Sequence, residues 1–282
     1  MSKLKFLRRT LNSINQQILE NKFTFNCAFF SHYILKNTIG NVSLVKFPAT
    51  KFKYSNIILQ TRPNTIDFWA CLESYEPDLT YFLRKVLENQ KGTFIDVGGH
   101  IGRFTTLMAK QRWDVISFEP VKTNYEALKN NLAINECETF AETYNLGLGN
   151  QSSAQTIYFN PKEMGEASLI QNNGKTSKDE IKIVRFDELM KRREFEDLCI
   201  VKIDVEGHEN NVVEGMSEFI ENHRPLLIIE LWEEHSQNLI LFLKSLGYKR
   251  LHIFWFIESK HAIYMDKMYE LYNNKILRYE YQ

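Results

Sequence analysis

The chain has 282 residues, 44% hydrophobic and 25% charged, the make-up of a folded globular protein, which excludes a disordered chain, a collagen or a coiled-coil rod. At roughly 150 residues per domain, the length suits one large α/β domain or one domain with an added segment. Lysine plus arginine and aspartate plus glutamate both total 35, so the formal net charge is zero and no global field argues for a nucleic-acid partner.

The first predicted element is an amphipathic helix, because Leu4, Leu7, Leu11, Ile14 and Ile18 recur at steps of three and four. Lys3, Lys5, Arg8 and Arg9 precede the first acid, Glu20. A helix over residues 1–20 could therefore touch an anionic membrane surface or a partner, although packing on its own domain is the simpler reading. Residues 22–65 show no clear period, and residues 1–70 are expected to form a helical or mixed cap. From about residue 90, short apolar runs alternate with helical periods, the signature of an α/β fold with a mostly parallel sheet covered by helices on both faces. The runs predict strands at Thr93–Val97, Val115–Phe118, Phe140–Leu146, Cys199–Ile203, Leu226–Leu231 and Tyr248–Phe256. Helical faces are marked by Ile101, Phe104, Leu107 and Met108, by Tyr125, Leu128 and Leu132, by Val212, Met216, Phe219 and Ile220, and by Leu239, Phe242, Leu243 and Leu246. Residues 150–185 break the alternation and predict a loop or hairpin insertion near the active edge. Phe254, Trp255 and Phe256 are expected in the core, and residues 257–282 as a tail after a main domain over 71–256.

No run approaches the ~18 apolar residues of a membrane span, and the N-terminus lacks a signal-peptide pattern. Cys27, Cys71, Cys137 and Cys199 are scattered without a Cys-x-x-Cys pair. Both observations suit a cytoplasmic protein with reduced thiols rather than a zinc or disulfide scaffold.

The sharpest chemical signal is Phe94-Ile95-Asp96-Val97-Gly98-Gly99-His100-Ile101-Gly102, a strand entering a glycine-rich turn and then a helix. Such glycines let the backbone approach a ligand where a Cβ would clash. The spacing of Gly98, Gly99 and Gly102 does not fit the dinucleotide fingerprint, and Asp96 would repel a pyrophosphate, which disfavours a nicotinamide-dependent oxidoreductase. About 20 residues on, Val115-Ile-Ser-Phe-Glu119-Pro120 ends a strand in a carboxylate that can accept both hydroxyls of a ribose. Together they predict an adenosine ligand.

These segments resemble the FkbM family of class I S-adenosylmethionine-dependent methyltransferases, whose turn usually reads Asp-Val-Gly-Ala-Asn-x-Gly and is followed by Phe-Glu-Pro. Gly99 and His100 stand where Ala and Asn are usual. Asn131-Leu-Ala-Ile-Asn135 is similar to the family's Asn-Leu-x-x-Asn, and Arg185-Phe-Asp-Glu-Leu189 stands where Thr-Leu-Asp-x-Leu is common. The most specific stretch is Val201-Lys-Ile-Asp204-Val-Glu206-Gly-His208-Glu209, followed by Arg224-Pro225 and a strand ending in Glu230. The resemblance runs from Glu73-Ser-Tyr75-Glu76-Pro77 to Leu246-Gly247-Tyr248 and implies a Rossmann-like methyltransferase fold.

It also implies S-adenosylmethionine held by Asp96, Gly98, Gly99, His100, Gly102, Glu119 and Pro120. Catalysis would fall to Asp204, His208, Glu206 and Glu230, with Asp204 ahead of His208 as proton acceptor. Acids at the first turn of a helix, as at Glu209, also suit the helix dipole. Many family members act on hydroxyls, so O-methylation of a sugar, glycan or glycolipid precursor, or secondary metabolite is expected. A divalent metal on Asp204 and Glu230, with Glu206, is a less favoured alternative. Lys202, inside an apolar strand, is expected to neutralise nearby acids. A non-catalytic nucleoside-binding scaffold is the rival from another class.

Overall fold

The computed structural model describes residues 14–20, 22, 24–29, 31, 46–72, 75–161, 163–169, 175–230, 236–256 and 267–273. The basic start of the N-terminal helix, residues 1–13, lies outside the described residues. Its continuation is helical over residues 14–17, and Ile14 and Ile18 are buried, Ile18 bridging to Phe52. A hairpin follows, β1 (Lys51–Tyr54) with β2 (Ile57–Gln60), its alternating buried positions marking a strand pair with one face covered. Two short helices, α1 (Phe68–Cys71) and α2 (Pro77–Tyr81), lead into β3 (Thr93–Val97), α3 (Arg103–Lys110), β4 (Asp114–Phe118), α4 (Lys122–Ile134) and β5 (Ala141–Tyr144). Next come β6 (Gly147–Leu148), β7 (Ser153–Asn160), β8 (Glu163–Ser168) and β9 (Ser177–Val184). The rest comprises α5 (Phe186–Leu189), β10 (Cys199–Ile203), α6 (Glu209–Gly215), α7 (Ser217–His223), β11 (Leu226–Glu230), α8 (Ser236–Ser245), β12 (Lys249–Phe256) and β13 (Lys267–Asn273).

The main sheet has the order β12-β13-β11-β10-β3-β4-β5, parallel from β11 to β5, with β13 antiparallel to both its neighbours. Its central strands β3, β10 and β11 are buried at every position, as strands covered on both faces must be. Alternate side chains enter opposite cores. Phe94, Val115, Ile200 and Ile228 join α3, α4 and the N-terminal hairpin, whereas Ile95, Ile116, Val201 and Ile229 join the layer of α5 to α8. Phe25, Phe47, Phe52 and Phe68 pack ring against ring in the first of these cores, so the N-terminal segment shares the core of the main sheet.

Four sequence expectations change in detail. The strand expected over Phe140–Leu146 is confined to β5, because Glu138–Phe140 is a 3₁₀ turn and Asn145 turns the chain away by donating to Glu119 O and Pro120 O, both at 2.9 Å. The insertion expected as a loop or hairpin is a four-stranded sheet of order β6-β9-β7-β8. The helical run Val212–Ile220 divides at Met216 into α6 and α7. Within the expected tail, β13 lies between β11 and β12 as the sheet's seventh strand. The side chains of Phe254, Trp255 and Phe256 lie outside the described residues. No helix among the described residues is long and apolar enough to cross a membrane.

Candidate functional site

A cleft lies beyond the carboxyl ends of β3, β4 and β10, where open parallel sheets place their ligands. One wall is the turn after β3. Gly98 has φ +88°, and a Cβ there would sit 1.9 Å from Asp204 O, so the close approach of β3 and β10 requires glycine. Gly98 and His100 line the cleft, whereas Gly99 and Gly102 face away from it onto α4. A Cβ on Gly99 would meet Leu128 Cδ1 at 2.7 Å, and one on Gly102 would meet Leu128 Cγ at 2.9 Å. These two glycines seat the turn on its helix.

Asp96 likewise stands beneath the cleft. It is 1% exposed, accepts from Thr105 Oγ1 at 2.6 Å and lies 3.8 Å from Lys202 Nζ. Burial pushes its carboxyl up, against the opposing effects of Lys202 and Thr105. Lys202, itself 2% exposed, also donates to Asp204 Oδ2 at 3.2 Å, so one ammonium joins the acid under the glycine turn to the acid facing the cleft. This is the neutralisation expected from the sequence.

Glu119 and Pro120 form the second wall. Glu119 Oε1 accepts from Val121 N at 2.9 Å and Asn124 Nδ2 at 3.2 Å, and Oε2 accepts from His100 N at 2.8 Å. Two donors fill Oε1, so the remaining acceptor capacity lies on Oε2 and suits one hydroxyl rather than two. Burial pushes the carboxyl up to about 7, the three N–H donors and Arg62 opposing.

Opposite these walls stand Asp204, Glu206 and His208, on the turn between β10 and α6. Glu206 has φ +55° and Gly207 φ +98°, a left-handed pair that turns the chain sharply. Glu209 Oε1 accepts from Val205 N at 3.3 Å and Gly207 N at 3.1 Å, and Ser168 of β8 donates to Glu206 O at 3.0 Å. Glu209 is thus accounted for by holding the turn. Burial pushes the His208 imidazole down, favouring its neutral form. Glu230, buried at the end of β11, does not line the cleft, but it, Asp204 and Glu206 each offer an oxygen within 4.8 Å of the others.

The roof is the insertion sheet, which contributes Ile157, Ile181 and Ile183 beside Val121. Sequence reasoning missed this apolar wall, together with Asn124, Ser168 and Tyr75, which all line the cleft. The described lining residues include carboxylates and two histidines but no lysine or arginine, a set suited to a cationic ligand and hostile to a pyrophosphate.

The seven-stranded sheet with its ligand cleft at the carboxyl edge defines a Rossmann-like methyltransferase fold. Residues 96–250 match the profile described as the Methyltransferase FkbM domain, and the chain belongs to this family. The methyltransferase sdnD of Sordaria araneosa is 23% identical over 173 residues, 49% of this chain and 66% of that protein. The crystal structure of the methyltransferase FkbM from Methylobacillus flagellatus aligns with a TM-score of 0.50 at 17% identity, covering 72% of this chain and 51% of that one. A precorrin-6y C5,15-methyltransferase from Geobacter metallireducens aligns at 0.44 with 8% identity, over 71% of this chain and 86% of that one. The chain thus spans just under two thirds of sdnD and about half of the FkbM structure.

Proposed function

We propose that the protein is an S-adenosylmethionine-dependent O-methyltransferase acting on a hydroxyl of a sugar, a glycan or glycolipid precursor, or a secondary metabolite. The observation that carries the cofactor reading is the cleft's division of labour, a buried carboxylate with one open acceptor site at Glu119, an apolar roof, and acids at the far end. Glu119 and His100 would hold the nucleoside end, Pro120, Ile157 and Ile183 the base, and Gly98 with Asp204 and Glu206 the cationic end. Asp96, Gly99 and Gly102 support this cradle from below. When bound, S-adenosylmethionine supplies an electrophilic methyl group on a sulfonium.

The chain's own residues then align the acceptor and manage its proton. Asp204, which accepts from Lys202 Nζ, would accept a hydrogen bond from the incoming hydroxyl and take its proton, with His208 on the same turn as a neutral imidazole. Glu206 and Glu230 add negative potential beside Asp204.

The test is calorimetric binding of S-adenosylmethionine and S-adenosylhomocysteine, followed by labelled-methyl transfer to a panel of hydroxylated acceptors. Micromolar binding weakened about tenfold or more in Glu119→Ala supports the cofactor assignment. Folded wild type that binds neither ligand sinks it. In the transfer assay Asp204→Asn should lower the rate by about 10²-fold or more while S-adenosylhomocysteine affinity stays within a few-fold. An unchanged rate would move the proton-accepting role to His208.

A further inference from the structure

Arg62 follows β2 and does not line the cleft, yet its guanidinium organises the residues that hold Glu119. Asp67, 2% exposed at its side chain, clamps it: Arg62 Nε donates to Asp67 Oδ2 at 2.8 Å, Nη2 donates to Oδ1 at 2.7 Å, and the Arg62 peptide N donates to Oδ2 at 3.0 Å. This bidentate pairing fixes the guanidinium plane. Burial alone would push the Asp67 carboxyl up, but the hydrogen bonds and charge of Arg62, together with His100 at 3.8 Å, outweigh it and hold it below the ordinary range. Held in this way, Nη1 donates to Asn124 Oδ1 at 2.6 Å, and Nη2 stands 3.3 Å from His100 Nε2.

Donor and acceptor chemistry then permits one orientation of the Asn124 amide. A guanidinium only donates, so Asn124 must turn its oxygen to Arg62, which leaves its NH₂ for Glu119. His100 Nε2 stands between Arg62 Nη2, at 3.3 Å, and Asp67 Oδ1, at 3.8 Å, so the pair also borders the ring of the residue whose peptide N donates to Glu119 Oε2. Arg62 thereby anchors the oxygen end of the Asn124 amide, whose other end donates to Glu119 Oε1.

We infer that Arg62 is a positioning residue for ribose recognition, acting through Asn124 and His100 to keep Glu119 Oε2 open towards the cleft. The inference rests on the cofactor reading above and adds to it a contribution from outside the residues matched by the family profile.

Full-length protein is titrated calorimetrically with S-adenosylhomocysteine and with its 2′,3′-dideoxy analogue. Wild type should prefer the first by about tenfold, ~1.4 kcal/mol. Arg62→Lys keeps a cation beside Asp67 but loses the fork, and its preference should fall towards one. Asn124→Leu leaves the Arg62–Asp67 pair intact, cuts the link to Glu119 and should lose the preference likewise, which decides the matter if Arg62→Lys fails to fold. Equal weakening of both ligands by folded Arg62→Lys, as a merely structural role would produce, overturns the inference. So does a wild-type preference retained in Asn124→Leu, and so does a wild-type ratio near one. Wild type that binds neither ligand is a separate result, because it removes the cofactor reading itself.

Discussion

At the residue scale, Glu119 shows how one buried group couples stability and binding to pH in opposite senses. Its folded pKa, about 7, lies above the ordinary 4.5. Between these values the native state holds a proton that the unfolded chain does not. The Glu119 contribution to stability therefore improves as pH falls through 7 and is complete below 4.5. Binding runs the other way, because the ionised oxygen accepts a hydroxyl. S-adenosylhomocysteine affinity should rise as pH rises through about 7, and Glu119→Gln should bind more weakly with that rise flattened. Calorimetry from roughly pH 5.5 to 8.5 checks both statements. A rise that persists in Glu119→Gln would assign the titration to another group. His208 is poorly suited to that role, since burial keeps its imidazole neutral to lower pH than usual.

At the element scale, the Asn131-Leu-Ala-Ile-Asn135 motif acts as a substitute strand. Asn131 Oδ1 accepts from Gln60 N at 2.7 Å, Asn135 Oδ1 accepts from Ile58 N at 2.8 Å, and Asn135 Nδ2 donates to Ile58 O at 2.7 Å. Four helical residues rise about 6 Å and two strand residues about 6.6 Å, so i and i+4 on α4 match alternate residues of β2. Asn131→Ala leaves the Gln60 N–H without its partner and should cost about 1–3 kcal/mol, read from urea denaturation midpoints. A loss under about 0.5 kcal/mol would mean water replaces the amide. The resemblance made this motif visible, but not its purpose, which depends on a hairpin some 70 residues upstream. Similar reasons divide the rest of what was legible. Strands β3 and β10 were read to the residue because burial on both faces makes their sequences apolar apart from Thr93, Asp96 and Lys202. Strands β7 and β9 bury only Ile157, Ile181 and Ile183 among more exposed neighbours, so their pairing left little pattern. Strand β13, Lys-Met-Tyr-Glu-Leu-Tyr-Asn, owes its place to the topology of the sheet. Among the residues that line the candidate cleft, Gly98, Glu119, Asp204, Glu206 and His208 stood out in the sequence because they end strands or form turns. Arg62 and Asn124 did not, because the contact that joins them spans 62 residues and leaves no local pattern.

At the scale of the whole molecule, the cleft lies between two sheets with different supports. Its floor is the carboxyl edge of the main sheet, held by cores on both faces, whereas its roof rests on the small cluster of Val121, Ile157, Ile181 and Ile183. Local opening is easiest where few apolar contacts hold an element, so the insertion sheet should exchange its amide hydrogens faster than β3 or β10 in the free protein. A ligand that touches both sheets stabilises the closed arrangement by RT ln(1 + [L]/Kd), about 2.7 kcal/mol at a hundredfold excess over Kd. With S-adenosylhomocysteine present, the expected result is slowed hydrogen exchange in residues 153–160 and 177–184 together with residues 98–100, and little change in the hairpin 51–60, which packs behind α3 and α4. Protection confined to residues 98–100 would place the ligand against the main sheet alone. The insertion sheet would then belong to the acceptor's side of the cleft, its Ser168 contact with the Glu206 carbonyl linking acceptor binding to the turn that carries Asp204 and His208.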